Sequence, residues 1–155
     1  MPRAVVSDAS CLIVLTNIGE LELLHQLYNV IYTTPLVVKE YGKKLPEWIV
    51  VQQPKDLLRQ KLIELQVDSG EASAISLALE FKNSIVILDD YKARKVAEHL
   101  KMIVTGTIGI IIRAKKRGLI ELVKPLFERI EKAGFYVSNE IINYALKEAG
   151  EKEKP

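Results

Sequence analysis

The chain has 155 residues, 48% hydrophobic and 27% charged, with a formal net charge of +2, a size suited to one domain with a sizeable core. That charge is too small to mark a nucleic-acid binder by its global field, so any such partner must be held by local basic patches. No apolar run reaches the ~18 residues of a membrane span, the N-terminus has no signal-peptide pattern, and Cys11, the only cysteine, excludes an intrachain disulfide, so a cytoplasmic protein with a reduced core thiol is expected.

In chain order, "AVVS" at 4–7 reads as a short buried strand that ends at Asp8. Two helices follow, "ASCLIVLTNI" and "GELELLHQLY", then a second strand, "VIYT" at 30–33. Thr34 and Pro35 form an N-cap and first-turn pair for "PLVVKEYGKK", and Gly42 helps to end that helix. "WIVV" at 48–51 is a third strand, and "KDLLRQKLIEL" sets Leu58, Leu62 and Leu65 at helical spacing. Asp68 and Ser69 open a small-residue helix with Ala72, Ile75 and Leu79 on one face, suited to close packing on a sheet. The strand "IVIL", the helix "YKARKVAEHL", the strand "MIVT" and the helix "TIGIIIRAKKRG", with Gly118 at its C-cap, come next. Helices around 120–133 and 139–149 complete a single domain over residues 1–150, and 151–155 reads as a frayed tail. Strands that are continuous apolar runs and alternate with helices argue for a parallel α/β sheet covered on both faces.

Ligands of such a sheet gather at the carboxyl ends of its strands. There the sequence places Asp8 after the first strand and the adjacent pair Asp89 and Asp90 after the fourth. Glu40 falls one turn into its helix, at the edge of a buried face, and Glu71 in the first turn of the small-residue helix. Each acid alone suits a cap or a helix dipole. Converging together, they would repel and raise one another's pKa values unless a cation lay among them. Hard oxygen donors without a His or Cys cluster select Mg²⁺ or Mn²⁺ over zinc.

His25 and His99 stand alone on helices, and there is no Gly-x-Ser-x-Gly elbow, Walker loop or dinucleotide fingerprint. "TGTIG" at 105–109 joins a strand to a helix N-terminus and offers Thr107 as part of a phosphate seat. Lys92 and Arg94 in "YKARK", with Arg113, Lys116 and Arg117 in "RAKKRG", make either a solvated helix end or a rim that grips a phosphate backbone.

The stretches "VVSDASCLIVL", "TTPLVVKEY", "DSGEASAISLALE", "VILDDYKARKVAEHL" and "VTGTIGIIIRAKKRG" run in order across most of residues 4–118. Together they resemble a PIN domain, the nuclease-like fold of VapC-type toxins and of several RNA-processing enzymes, and more closely a prokaryotic branch of PIN-like proteins. The resemblance implies a three-layer α/β/α sandwich with a parallel sheet of about four or five strands. It also implies an acidic pocket of Asp8, Glu40, Glu71 and an aspartate of the 89–90 pair. Asp90 lines up best with the last acid of the family pattern (strand, Thr, any residue, Asp), with Leu88 in the Thr position. Asp8, Asp89, Asp90 and Glu71 are then the metal-ligand candidates, and Ser10 matches the small hydroxyl residue after the first aspartate. Cys11 stands where this branch often has proline, and Glu71 where many toxins have Asp.

The implied activity is Mg²⁺- or Mn²⁺-dependent hydrolysis of RNA phosphodiester bonds. A small antitoxin protein and a homo-oligomer are the implied partners. One alternative is a PIN-like module that binds RNA or a protein without cutting. A receiver- or phosphatase-type phosphoacceptor domain is disfavoured, because Asp8 is followed by Ala9 and Ser10 rather than by Asp-x-Asp, and "TGT" stands where receivers carry a lysine.

Overall fold

The computed structural model describes residues 3–152, and its elements alternate as the apolar pattern requires. β1 (Ala4–Ser7), β2 (Ile31–Thr33), β3 (Ile49–Val51), β4 (Ser84–Ile87) and β5 (Ile103–Thr105) form one parallel sheet in the order β3-β2-β1-β4-β5. From β1 the chain steps outward to β2 and β3, then returns to the other side of β1 for β4 and β5. The reversal between β1 and β4 leaves a crevice at their carboxyl ends, where open α/β sheets hold ligands.

Alternation along the strands assigns the two faces. Val5, Ile31, Ile49, Ile85 and Ile87 turn to a core shared with α1 (Ala9–Asn17), α2 (Glu22–Tyr28), α3 (Pro35–Tyr41), α7 (Thr107–Lys116), α8 (Lys124–Lys132) and α9 (Asn139–Glu148). Val6, Val86 and Leu88 turn to the opposite core, beneath α4 (Leu57–Ile63), α5 (Ser69–Leu79) and α6 (Tyr91–His99). The result is the expected three-layer sandwich. α5 is buried from Ala72 to Ala78, because its alanines and serines let α4, α3 and the sheet approach from several sides.

Local signals set most boundaries. Thr34 Oγ1 accepts from Val37 N at 3.3 Å with Pro35 next to it, and Gly42 closes α3 at φ +72°. Asp68 and Glu71 make a reciprocal capping box on α5. Three expectations change. The stripe Leu58, Leu62 and Leu65 faces solvent (69%, 58% and 81% exposed), while Gln60 and Ile63 turn inward; helical spacing identifies the helix, but the neighbour on α5 chooses the face. The helix expected from residue 120 begins at Lys124, because Pro125 lacks an N–H and belongs in a first turn.

Glu151, first residue of the segment expected to fray, is the third. Its carboxylate accepts from Val123 N at 2.7 Å, Lys124 N at 3.3 Å and Lys115 Nζ at 2.9 Å, fastening the chain after α9 to α7 and α8. Residues 153–155 lie outside the described residues. Burial opposes ionisation of Glu151, but the hydrogen bonds from Val123, Lys115 and Lys124 outweigh it and hold the group below the ordinary carboxylate range. Its contribution is therefore present above the unfolded-state value and lost as pH falls through the lowered folded value. Glu151→Ala leaves the N–H of the fully buried Val123 unpaired and should cost about 1–3 kcal/mol at pH 7. Denaturant unfolding at pH 7 and at low pH measures this, and the deficit should shrink at low pH.

Candidate functional site

Asp8 follows β1 directly and is 2% exposed. Its Oδ1 accepts from Cys11 N at 3.1 Å, capping α1, and its Oδ2 accepts from Asp89 N at 3.3 Å. Asp89 is brought there by alternation. Ile87 faces the α1 side, Leu88 the α6 side, and the next residue returns to the α1 side. Thr107 donates to the Asp89 carboxylate twice, from N at 2.7 Å and from Oγ1 at 2.6 Å, and Ser10 Oγ donates at 3.3 Å. Thr107 is itself buried, so its N–H and hydroxyl hold Asp89. Gly106 permits this approach. A Cβ there would lie 2.8 Å from Asp89 Oδ1 and 2.6 Å from Arg94 Nη1, closer than side chains tolerate.

A second group of acids adjoins the first. Glu71 feels the charges of Asp68 and Asp90, and its own charge reaches Asp8. Asp90 is exposed and caps α6, accepting from Ala93 N at 3.0 Å. The resemblance favours Asp90 as the last acid; in the structure Asp89 lies beside Asp8 and Asp90 beside Glu71. Glu40 lies against Gly70, where any Cβ would overlap its Oε1, and its charged neighbour is Asp68. A buried hydroxyl relay locks α3 to α5. Ser73 Oγ donates to Gly70 O at 2.7 Å and lies 2.6 Å from Thr34 Oγ1. Asp68, read from sequence only as a cap, is thus part of the acidic surface. Its membership depends on the α3–α5 contact, which sequence spacing does not reveal.

The electrostatics follow from burial. Desolvation and then the neighbouring Asp89 carboxylate push Asp8 well above the ordinary carboxylate range, against the opposing bonds from Cys11 N and Asp89 N. Desolvation, then Asp68 and Asp90, raises Glu71 to about 7. Desolvation and Asp68 also raise Glu40. None of the ion pairs among the described residues includes Asp8, Glu40, Glu71, Asp89 or Asp90. The donors are hard oxygens with no paired cation among the described residues, the chemistry that Mg²⁺ or Mn²⁺ suits. No three His, Cys, Asp or Glu side chains among the described residues stand at metal-holding spacing as they are, so an ion would require the more exposed acids to turn.

The basic residues divide. Arg94 and Lys116 line a cavity of about 630 Å³ that begins at Asp89. Arg113 instead stacks on the Tyr28 ring, 5.8 Å from its centre, and Lys92 and Arg117 are exposed and line no cavity beside the acids. Two exposed tyrosines, Tyr91 and Tyr144, share the wall of that cavity. Nothing in sequence periodicity singled them out, because they stand 53 residues apart in the chain and meet only through the β5–α7–α9 packing.

An ionised Glu71 is less favourable in the folded chain than in the unfolded one. Its share of stability falls as pH rises from 4.5 to about 7 and stays lost above that. Glu71→Gln keeps a residue able to complete the capping box and should be more stable than the parent at pH 8 by roughly 1 kcal/mol, discounted because the carboxyl is partly exposed. Thermal unfolding in chelator from pH 4.5 to 8 tests this, and the advantage should vanish toward pH 4.5.

A family description for the PIN domain matches residues 4–151, nearly the whole chain. No curated protein and no solved structure is matched by the sequence. Among the described residues, no helix is long and apolar enough to cross a membrane. The matched span includes every element of the sheet and every acid of the cluster. The chain belongs to the PIN-domain family, with that family's nuclease-like fold.

Proposed function

We propose that the protein is a divalent-metal-dependent endoribonuclease that hydrolyses RNA phosphodiester bonds at the carboxyl edge of β1 and β4. The observation that carries this reading is the linked pair Asp8 and Asp89 at the reversal of strand order, with the charge of Glu71 reaching Asp8 and no cation paired to any of the three among the described residues. Mg²⁺ or Mn²⁺ bound there would supply an activated water and a charge to stabilise the leaving oxygen. Asp8, fixed by two backbone N–H groups, and Asp89, fixed by Thr107 and Ser10, are the rigid ligands in this reading. Glu71 and Asp90 are the adjustable ones. Glu40 and Asp68 add negative potential on the α3–α5 side. Arg94 and Lys116 lie where phosphates flanking the cleaved bond would pass.

Single-stranded RNA should be nicked in Mg²⁺ or Mn²⁺, and chelator or Asp8→Asn should abolish the cut. Thr107→Val, which removes one of the three hydrogen bonds that hold the Asp89 carboxylate, should lower the rate roughly 10- to 100-fold, and Thr107→Ser should restore most of it. The wild type's melting temperature should rise with Mn²⁺ more than that of Asp8→Asn. Cleavage by Asp8→Asn equal to that of the wild type would point to a contaminating nuclease and remove the assignment.

The wide spacing of the acids favours one competing reading, a module that binds RNA or a protein without cutting. Tight RNA binding with no turnover in any divalent metal would select it. A toxin role, a small antitoxin partner and self-association belong to the same proposal by family resemblance. The leucine ridge of α4 offers an open apolar surface to such a partner. A light-scattering mass should exceed that of one 17.5 kDa chain, and a monomeric mass would remove self-association.

A further inference from the structure

Two cavities open beside the carboxylates, and three residues border both: Asp89, Ile108 and Ile141. The larger, about 630 Å³, follows α6, β5, α7 and α9. The smaller, about 330 Å³, lies between the start of α1, α7 and residues 135–138, with Phe135, Val137 and Ile130 in its wall. Both volumes fall in the ~300–1,000 Å³ range of sites that take small organic groups. Ile141, 48% exposed at the first turn of α9, divides them.

We propose that the two cavities are base subsites on either side of the cleaved phosphodiester of a single RNA strand, with Ile141 parting the two flanking bases; this rests on the nuclease reading above. A phosphodiester held at Asp89 continues into a nucleotide in each direction, and the structure offers one cavity in each. Tyr91 and Tyr144 stand 74% and 62% exposed in the larger cavity. Lys95 Nζ lies over one face of the Tyr91 ring, 5.3 Å from its centre; rings that large and that exposed stack with a base on a free face, and such stacking tolerates any sequence. Arg94 has no carboxylate partner among the ion pairs of the described residues, only Leu88 O at 3.4 Å. It therefore keeps a cation for the backbone. Lys116, in a loose 3.7 Å pair with Glu148 at the far end of the same wall, adds a second. Paired and stacked bases of a duplex cannot part over Ile141, so the arrangement selects unstructured strands.

The test is fluorescence anisotropy of the full chain at low salt in chelator, where binding is read without turnover. The probes are a fluorescein-labelled oligouridylate of about 12 nucleotides, an abasic oligomer of the same length, and a duplex. Tyr144→Ala and Tyr91→Ala should each weaken binding of the oligouridylate roughly 5- to 150-fold. Tyr144→Phe should keep the parent affinity, and Tyr144→Ala should bind the abasic oligomer as the parent does. Ile141→Ala should narrow the preference for single strand over duplex. Gln66→Ala, an exposed neutral residue just beyond α4, is the control that leaves affinity alone.

Equal loss on the base-bearing and abasic probes would make the tyrosines merely structural and overturn the proposal. Parent-like affinity of both alanine variants, or a duplex bound as tightly as the single strand, would overturn it as well. The two readings fail separately. Base-dependent binding with no Mn²⁺-dependent cleavage removes the nuclease reading and leaves two base sites. Cleavage sensitive to Asp8→Asn but blind to these variants removes the base sites and leaves the nuclease.

Discussion

The carboxyl edge of the sheet depends on the way Asp89 is held. Its carboxylate takes three hydrogen bonds from Thr107 and Ser10, and its own N–H reaches Asp8. Those four links join the ends of β1 and β4 to the starts of α1 and α7. All the donors are neutral, so two carboxyl groups are oriented without an ion pair. An arginine in place of Thr107 would hold Asp89 more strongly and silence its field. Hydroxyl and amide donors fix position and leave the charge available, a division of labour that preorganised electrostatic sites share.

The cost appears as raised proton affinity, at buried Asp8 and at Glu71. Such strain persists only where the surroundings over-determine it. Here the surroundings are the four-residue register of β1 with β4, the capping of α1 by Asp8, and the Thr34–Ser73–Gly70 relay that fixes α3 against α5. The acids come from the ends of β1 and β4, the starts of α5 and α6 and the last turn of α3, so no single element can relax to separate them.

The sheet, the helix order and the edge at which the acids collect were legible because the strands are unbroken apolar runs, and parallel topology then dictates which ends carry function. Thr34, Asp68 and Asp90 also declared their local roles through capping chemistry. That Asp89 is the member of the 89–90 pair linked to Asp8 was not legible in the sequence, since it turns on the face to which Leu88 points. Asp68 and the tyrosines 91 and 144 were hidden because their meaning lies in contacts between distant helices. The leucines of α4 carried a clear periodic signal whose direction depended on α5, and Glu151 looked like tail because its partners lie 28 and 36 residues earlier.

Cys11 completes the architecture from beneath. It is the chain's single thiol, fully buried, bonded to Thr107 and pressed by the charges of Asp89 and Asp8, and burial above all raises its pKa far from reactivity. Alkylating reagents attack thiolates and reach them only through opening motions. The floor of the acidic pocket therefore carries its own chemical clock. The rate at which Cys11 is labelled in the native protein counts how often α1, α7 and the strand ends come apart, with no foreign probe installed.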